Sequence, residues 1–243
     1  MAGSSAHTSW ARLAEGYWVE SRRPLSSLVF LAPLLITYEA GVLLLRVQNG
    51  ADAWMRNLLD LLGFGQHFVL PILAVCCLLG WHHLTRQPWR FSSGTLSAMA
   101  VECILLGIVL WLLLQLQGSL FQAIAGPVEM SIAAKTKDAV GFLGAGIYEE
   151  LLFRLILLSA IVWIIGRLGA APGTRLVAAA LLSSLLFAAA HHVGPYGDPF
   201  RWFIFAFRSL AGVFFSILFV YRGFGIAAGT HAAYDIFLEF LRC

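Results

Sequence analysis

Charged residues are scarce in this sequence. Asp, Glu, Lys and Arg make up 12% of the 243 residues, while hydrophobic residues make up 60%. The charged share is about half that of an ordinary soluble domain, and a water-soluble globule of this length has too little polar surface to cover so much apolar side chain. The net charge of +3 is too small for a phosphate-binding surface. We therefore expect no nucleic-acid partner, and the composition predicts an integral membrane protein whose partner is the lipid bilayer.

The sequence is also poor in cysteine, with four residues and no CxxC pair. Cys76, Cys77 and Cys103 lie within apolar runs, which is typical of small buried side chains rather than of disulfides. The first 26 residues are polar and contain no apolar segment typical of a cleavable signal peptide. We expect residues 1–26 to form a cytoplasmic or interfacial leader.

Apolar runs long enough to cross a bilayer recur along the chain, and a spanning helix needs about 20 such residues. We predict an all-α, polytopic membrane bundle of about seven helices, with six or eight as alternatives, forming one domain over residues 1–243. The mixed segment 118–138 is expected to be interfacial or re-entrant. The predicted spans are residues 28–45, 61–82, 96–117, 140–165, 176–191, 203–221 and 226–241.

The distribution of basic residues sets the expected orientation. Lys and Arg are slightly more numerous in the loops on the N-terminal side of these spans than on the other side. Because basic loops are retained in the cytoplasm, we predict a cytoplasmic N-terminus, in the cell membrane if the source is bacterial.

Ionisable residues within the spans are candidates for function, because a charged group at the bilayer centre costs about 2.5–3.5 kcal/mol to insert. Glu39 and Glu102 each stand alone on a span, and we expect them to pin helices together through hydrogen bonds. The other candidates fall on the last four spans and are Glu149, Glu150, Arg154, His191, His192, Arg208, His231 and Asp235.

The first two candidates, Glu149 and Glu150, are neighbouring carboxylates for which the sequence predicts different roles. Glu150 and Arg154 are four residues apart on one helical face, which predicts a structural ion pair. Glu149 is rotated about 100° from Glu150, and its face includes Ala145 and Gly146, whose small side chains let another helix or a peptide approach closely. This environment favours Glu149 as a general base.

Two histidine motifs follow. Phe187 lies one helical turn before His191 among small alanines, so the two are expected to project together, whereas His192 points elsewhere and is the less favoured working histidine. His231 and Asp235 are four residues apart on one face. Carboxylates and histidines on three helices favour one functional site over isolated core residues.

Such a group serves two chemistries. A carboxylate and a histidine can take a proton from water while donors hold an oxyanion. Alternatively, His and Glu are zinc ligands, and three of them with a water form a catalytic metal site. The sequence contains neither an HExxH nor a GxSxG motif, which excludes a zincin-type or serine-hydrolase site at the level of motifs.

Taken in order, the motifs resemble the signature of the CPBP family of intramembrane proteases, also called ABI, which comprises CAAX-processing and bacteriocin-processing proteases. The resemblance covers about residues 139–240. The segments 207–212 and 221–225 are similar to two further elements of the family, the first being its Arg-x-x-x-Gly element. The three motifs are Glu149-Glu150-x-x-x-Arg154, Phe187-x-x-x-His191 and His231-x-x-x-Asp235.

The resemblance implies an endopeptidase with its site inside the bilayer. Carried over by motif, Glu149 would activate water with help from His191, while Glu150 would shape the site. His231 and Asp235 would support the oxyanion of the tetrahedral intermediate. The supporting residues would be Arg154, Phe187 and Arg208.

One residue departs from the family pattern. Many members carry Asn at the position of Asp235, and an amide can donate a hydrogen bond to an oxyanion. Asp235 can do so only when protonated; otherwise it would orient His231 by accepting its N–H, or serve as a metal ligand.

The family is commonly labelled metalloprotease, although its residues also suit a metal-free glutamate mechanism. No cofactor is assigned, and a divalent metal such as zinc is the alternative. The candidate metal ligands are Glu149, His191 and His231.

The substrate implied is a membrane-associated or prenylated, CAAX-type protein or peptide; a leader peptide and the tail of another membrane protein are alternatives. Two other functions remain open: a catalytically silent membrane scaffold or immunity protein, and a proton-coupled transporter, since intramembrane carboxylates and histidines also relay protons.

Overall fold

A computed structural model of the chain describes residues 16–45, 69–125, 139–193 and 197–240. Within these ranges the regular structure is helical. The long helices are α1 (Pro24–Leu45), α2 (Val69–Leu84), α3 (Ser93–Ala125), α4 (Ala139–Glu150), a π-helix (Leu151–Leu158), α5 (Ser159–Arg167), α6 (Pro172–Ala190), α7 (Trp202–Arg222) and α8 (Phe224–Phe240).

The predicted all-α membrane bundle is confirmed, and each of the seven predicted spans overlaps a described helix. Four helices, α1, α3, α6 and α7, are long and apolar enough to cross a membrane, and α2 is a shorter apolar helix. Residues 61–68 of the second predicted span lie outside the described residues. The predicted interfacial segment begins as a continuation of α3 to Ala125, and its remainder, 126–138, is also outside them, as is the leader up to residue 15.

A single helical rod runs from Ala139 to Arg167, but its hydrogen bonding changes midway. The chain is α-helical up to Glu150, π-helical over Leu151–Leu158 and α-helical again afterwards. In the π-helical turn the Phe153 carbonyl accepts a hydrogen bond of 2.6 Å from the Ser183 hydroxyl of α6. π-Helical turns are rare and occur often at functional sites, and this one begins directly after the two candidate glutamates.

The last helix, α8, lies at the centre of the bundle. It packs against α1, α3, α4 and α7, and Phe224, Ile226, Ala227 and Ala228 on its first two turns are fully buried. Gly223 lets the chain turn from α7 into α8, because it adopts a φ of 86°, a conformation that side chains other than glycine rarely take. Small residues therefore allow α8 to be surrounded by neighbouring helices.

The connections from α2 to α3, from α5 to α6 and from α7 to α8 are short, and the bundle has two ends. The N-terminal face contains the start of α1, the end of α2, the start of α3 and the link between α7 and α8. The opposite end, which we call the site face, contains the end of α6 and the start of α7.

Residues 17–23, immediately before α1, are fastened to the N-terminal face. Arg222 at the end of α7 pairs with Glu102 of α3 at 2.6 Å and lies over the Trp18 ring at 3.7 Å. Tyr17 also donates a hydrogen bond to Glu102, and burial, reinforced by this carboxylate, raises the pKa of the Tyr17 hydroxyl. The Glu20 carboxylate accepts a hydrogen bond of 2.9 Å from the Thr95 hydroxyl near the start of α3. The end of the polar leader is thereby joined to α3 and α7.

We expect Gly146→Ala to destabilise the bundle. A Cβ at Gly146 would lie 2.7 Å from the backbone nitrogen of Ala232 and 2.9 Å from its Cβ, and overpacking of this kind typically costs about 1–3 kcal/mol. Thermal unfolding of the purified protein in detergent should show a lower Tm than wild type. Gly80→Ala is the matched control, because a Cβ there meets nothing within 4 Å; an equal fall in both variants would contradict the close approach of α4 and α8.

Candidate active site

Residues from each of the three motifs line one cavity of ≈ 140 Å³ near the site face. Glu149 comes from the end of α4, His191 caps the C-terminal end of α6, and His231 and Asp235 come from α8. Arg208 of α7 completes the ionisable lining. The structure therefore brings together the residues that the sequence singled out on separate helices.

Glu149 lies between two imidazole rings. Its Oε2 atom is 3.7 Å from Nε2 of His191 and 3.7 Å from Nε2 of His231. Both separations are too long for direct hydrogen bonds, but a water oxygen can lie within reach of the carboxylate and of either ring nitrogen. The Glu149 side chain is 11% exposed, so the group is largely shielded from bulk water.

His191 is held in one orientation by its own helix. Its Nδ1 atom is 2.8 Å from the carbonyl oxygen of Phe187; since a carbonyl can only accept, Nδ1 carries the hydrogen. In the neutral ring, Nε2 is then an unprotonated acceptor that faces Glu149. The Phe187 ring packs edge-on against the imidazole at 4.8 Å between centroids, so the predicted joint projection of the two residues is confirmed.

His231 is held by a different carboxylate than the sequence suggests. Its Nδ1 atom is 2.8 Å from Oε1 of Glu150, and its ring stacks on Phe215 at 4.4 Å and 14° between planes. Asp235 lies 3.6 Å from Nε2 of His231, beyond hydrogen-bonding distance. Glu150 therefore orients this imidazole, and the alternative in which Asp235 does so by accepting its N–H is not the arrangement observed.

The predicted pair of Glu150 and Arg154 is formed and fully buried. Nη1 of Arg154 is 3.1 Å from Oε1 of Glu150, and both side chains are 0% exposed. Arg154 also donates through Nη2 to the Gly212 carbonyl at 3.2 Å and lies 4.4 Å from the centroid of the Phe187 ring. The guanidinium thus joins the π-helical turn to α6 and α7.

The other intramembrane candidates also have identifiable contacts. Glu39 accepts a hydrogen bond from Tyr148 and Glu102 pairs with Arg222, so both join helices as expected. His192 has Nδ1 3.0 Å from the Asp198 carbonyl oxygen and lies among aromatic rings away from Glu149. Its position agrees with the preference for His191.

Two contributors to the site were missed in the sequence. Asp198, in the loop before α7, forms a 2.6 Å ion pair with Arg208, and no motif marks a lone acid in a loop. Phe215, which stacks on His231, is one of many phenylalanines on an apolar helix. Its signal was its spacing of seven residues after Arg208, which places both on about the same face of α7.

The three candidate metal ligands, Glu149, His191 and His231, line the cavity. Among the residues that the structure describes, no group of three or more His, Cys, Asp or Glu side chains is placed to hold a metal ion. We assign no reaction step to a metal, and the zinc alternative stays a prediction.

A family model described as type II CAAX prenyl endopeptidase, Rce1-like, matches residues 139–237. No curated protein and no solved structure matches the chain. The match covers the segment from α4 to α8 that carries all three motifs, and it confirms the resemblance to the CPBP family. It supports a protease of CAAX type embedded in the membrane.

We expect Arg154→Ala to lower the yield of folded protein. The change leaves the Glu150 carboxylate buried without its cation, and breaking a buried pair from one side typically costs about 3–5 kcal/mol. The monodisperse fraction in size-exclusion chromatography and the Tm would report the loss. Arg167→Ala is the matched control, because Arg167 is exposed at the end of α5; an undiminished yield of Arg154→Ala would count against the pair.

Proposed function

We propose, from the Rce1-like domain at residues 139–237, that this protein is an intramembrane endopeptidase in which Glu149 is the general base that activates water. The observation that carries the proposal is the position of the Glu149 carboxylate, 3.7 Å from the Nε2 atoms of two histidines whose Nδ1 atoms are occupied.

The reaction begins with a water held between Glu149 and His191. Hydrogen bonds of about 2.8 Å from one oxygen to both groups fit the 3.7 Å separation of Oε2 and Nε2. Glu149 takes a proton as the water oxygen bonds to the carbonyl carbon of the peptide. The same proton then passes to the leaving nitrogen as the C–N bond breaks, which returns Glu149 to its carboxylate form.

His231 is the donor proposed for the oxyanion. Its Nδ1–H is committed to Glu150, so it donates to the substrate through Nε2 when both ring nitrogens carry hydrogen. Carboxylate oxygens of Glu149 and Asp235 lie 3.7 Å and 3.6 Å from that Nε2, so the nitrogen faces the cavity between them. Asp235 contributes through its charge or, when protonated, as a second donor.

The rest of the cavity suits a lipid-modified substrate. Apart from its ionisable group the lining is mainly apolar, contributed by α3, α7 and α8, and includes Leu114, Phe203, Ile204, Phe207 and Leu238. Such walls bind a prenyl chain through burial of apolar surface. We therefore propose a prenylated, CAAX-type peptide as the substrate class.

Glu149→Gln is expected to abolish cleavage while leaving the fold intact, because the amide keeps the shape of the side chain but cannot take a proton. The assay uses purified protein in detergent with a fluorogenic farnesylated C-terminal peptide, and the Tm controls for folding. The matched control is Glu20→Gln, which makes the same change at the N-terminal face and leaves a side-chain oxygen to accept from Thr95. Full turnover by folded Glu149→Gln would remove Glu149 from the mechanism.

His191→Ala should lower kcat by about 10²–10⁴-fold, the usual contribution of a positioned acid–base group. The neighbouring His192→Ala should lower it far less, because His192 faces the loop backbone rather than Glu149. The same assay compares the two variants at saturating peptide. Equal losses would show that His191 acts only by holding the loop after α6.

Repeating this assay with a strong chelator tests the alternative in which a metal ion activates the water. A metal-free glutamate mechanism predicts unchanged cleavage after incubation with a strong chelator. Loss of cleavage that added zinc reverses would instead assign Glu149, His191 and His231 as ligands.

A further inference from the structure

One guanidinium nitrogen in the wall of the cavity is left without a partner. Nη1 of Arg208 is buried and makes no hydrogen bond, although Nη2 of the same side chain is 2.6 Å from Oδ2 of Asp198. A buried donor of this kind loses its hydration without compensation. Half of the guanidinium is therefore available to an acceptor that enters the cavity.

The charges around the cavity define what that acceptor is. Glu149 and Asp235 make this part of the protein acidic, and Arg208 is the only Arg or Lys side chain among the described residues that line the cavity. A planar guanidinium binds a carboxylate through two parallel hydrogen bonds. We propose that Arg208 binds the free C-terminal carboxylate of the substrate, a subsite that deepens the proposed protease function and rests on it.

Asp198 serves as the group that the substrate carboxylate replaces. Its side chain is 51% exposed, compared with 21% for Arg208, so Asp198 returns to water when it is released. Binding exchanges one carboxylate for another on the same guanidinium, and an exposed ion pair holds its partners only weakly. The subsite is thus occupied by Asp198 in the free enzyme and by the chain terminus in the complex.

Arg208 and the proposed oxyanion donor His231 line the same cavity. Arg208 precedes Phe215 by seven residues, which is about 10 Å along a helix, and the Phe215 ring stacks on His231. A substrate whose terminal carboxylate lies on Arg208 therefore places a peptide bond upstream of the terminus beside the proposed oxyanion donor.

The test compares one farnesylated fluorogenic peptide made with a C-terminal acid and with a C-terminal amide. Wild type should cleave the acid with a kcat/KM about ten- to hundredfold higher, the range for losing a hydrogen bond to a charged group. In Arg208→Gln the acid-to-amide ratio should fall to about one, and in Arg208→Lys to an intermediate value. Arg167→Gln, the same change at the N-terminal face, should keep the wild-type ratio.

The acid-to-amide ratio of kcat/KM distinguishes recognition of the substrate carboxylate by Arg208 from a structural role of Arg208. If Arg208→Gln slows both peptides by the same factor and keeps the ratio, Arg208 only fixes the loop and the inference is overturned. Equal cleavage of both peptides by wild type overturns it as well, while leaving the protease function standing. Cleavage of neither peptide by wild type rejects the protease function for this substrate class and the carboxylate subsite with it.

Discussion

The site depends on one buried carboxylate, that of Glu150. It is fully buried between two cationic or potentially cationic side chains, with Arg154 at 3.1 Å on its own helix and His231 at 2.8 Å on α8. A charge at this depth is stable only when it is paired and hydrogen-bonded. Because these partners come from different helices, the contacts of Glu150 Oε1 fix α4, the π-helical turn and α8 relative to one another, while its Oε2 atom is buried without a hydrogen-bond partner.

Because Glu150 makes these structural contacts, the neighbouring Glu149 carboxylate is available for the proposed acid–base role. Glu149 is one residue earlier and faces the cavity, where its contacts to His191 and His231 are longer than hydrogen bonds. His191 is oriented by a backbone carbonyl and His231 by Glu150. Each imidazole thus presents Nε2 to Glu149 without being held by it, which is the preorganisation that the proposed site requires to accept water and substrate.

Much of this arrangement can be predicted from the sequence, because ionisable residues are rare within membrane spans and each one is a candidate for function. Hydropathy alone locates the helices, and spacing along a helix correctly separates Glu149 from the Glu150–Arg154 pair. Helical spacing cannot show contacts between helices, so the sequence does not predict the hydrogen bond between Glu150 and His231, and it leaves the role of Asp235 open. The ion pair of Arg208 with Asp198 cannot be predicted from the sequence either, because an acidic residue in a loop has no helical spacing that relates it to its partner.

Because the site lies towards one end of the bundle, the orientation of the protein in the membrane decides which side a substrate must come from. His191 and the Arg208–Asp198 pair lie towards the site face, whereas residues 17–23 are bound to the opposite end through Arg222 and Glu102. With the predicted cytoplasmic N-terminus, substrates would enter from the other side of the membrane, which suits a leader peptide or the tail of a membrane protein. A prenylated cytoplasmic tail can reach Glu149 only if the N-terminus lies outside the cytoplasm. The prenylated substrate that we propose therefore requires the site face to lie on the cytoplasmic side, which is opposite to the orientation that the basic residues predict.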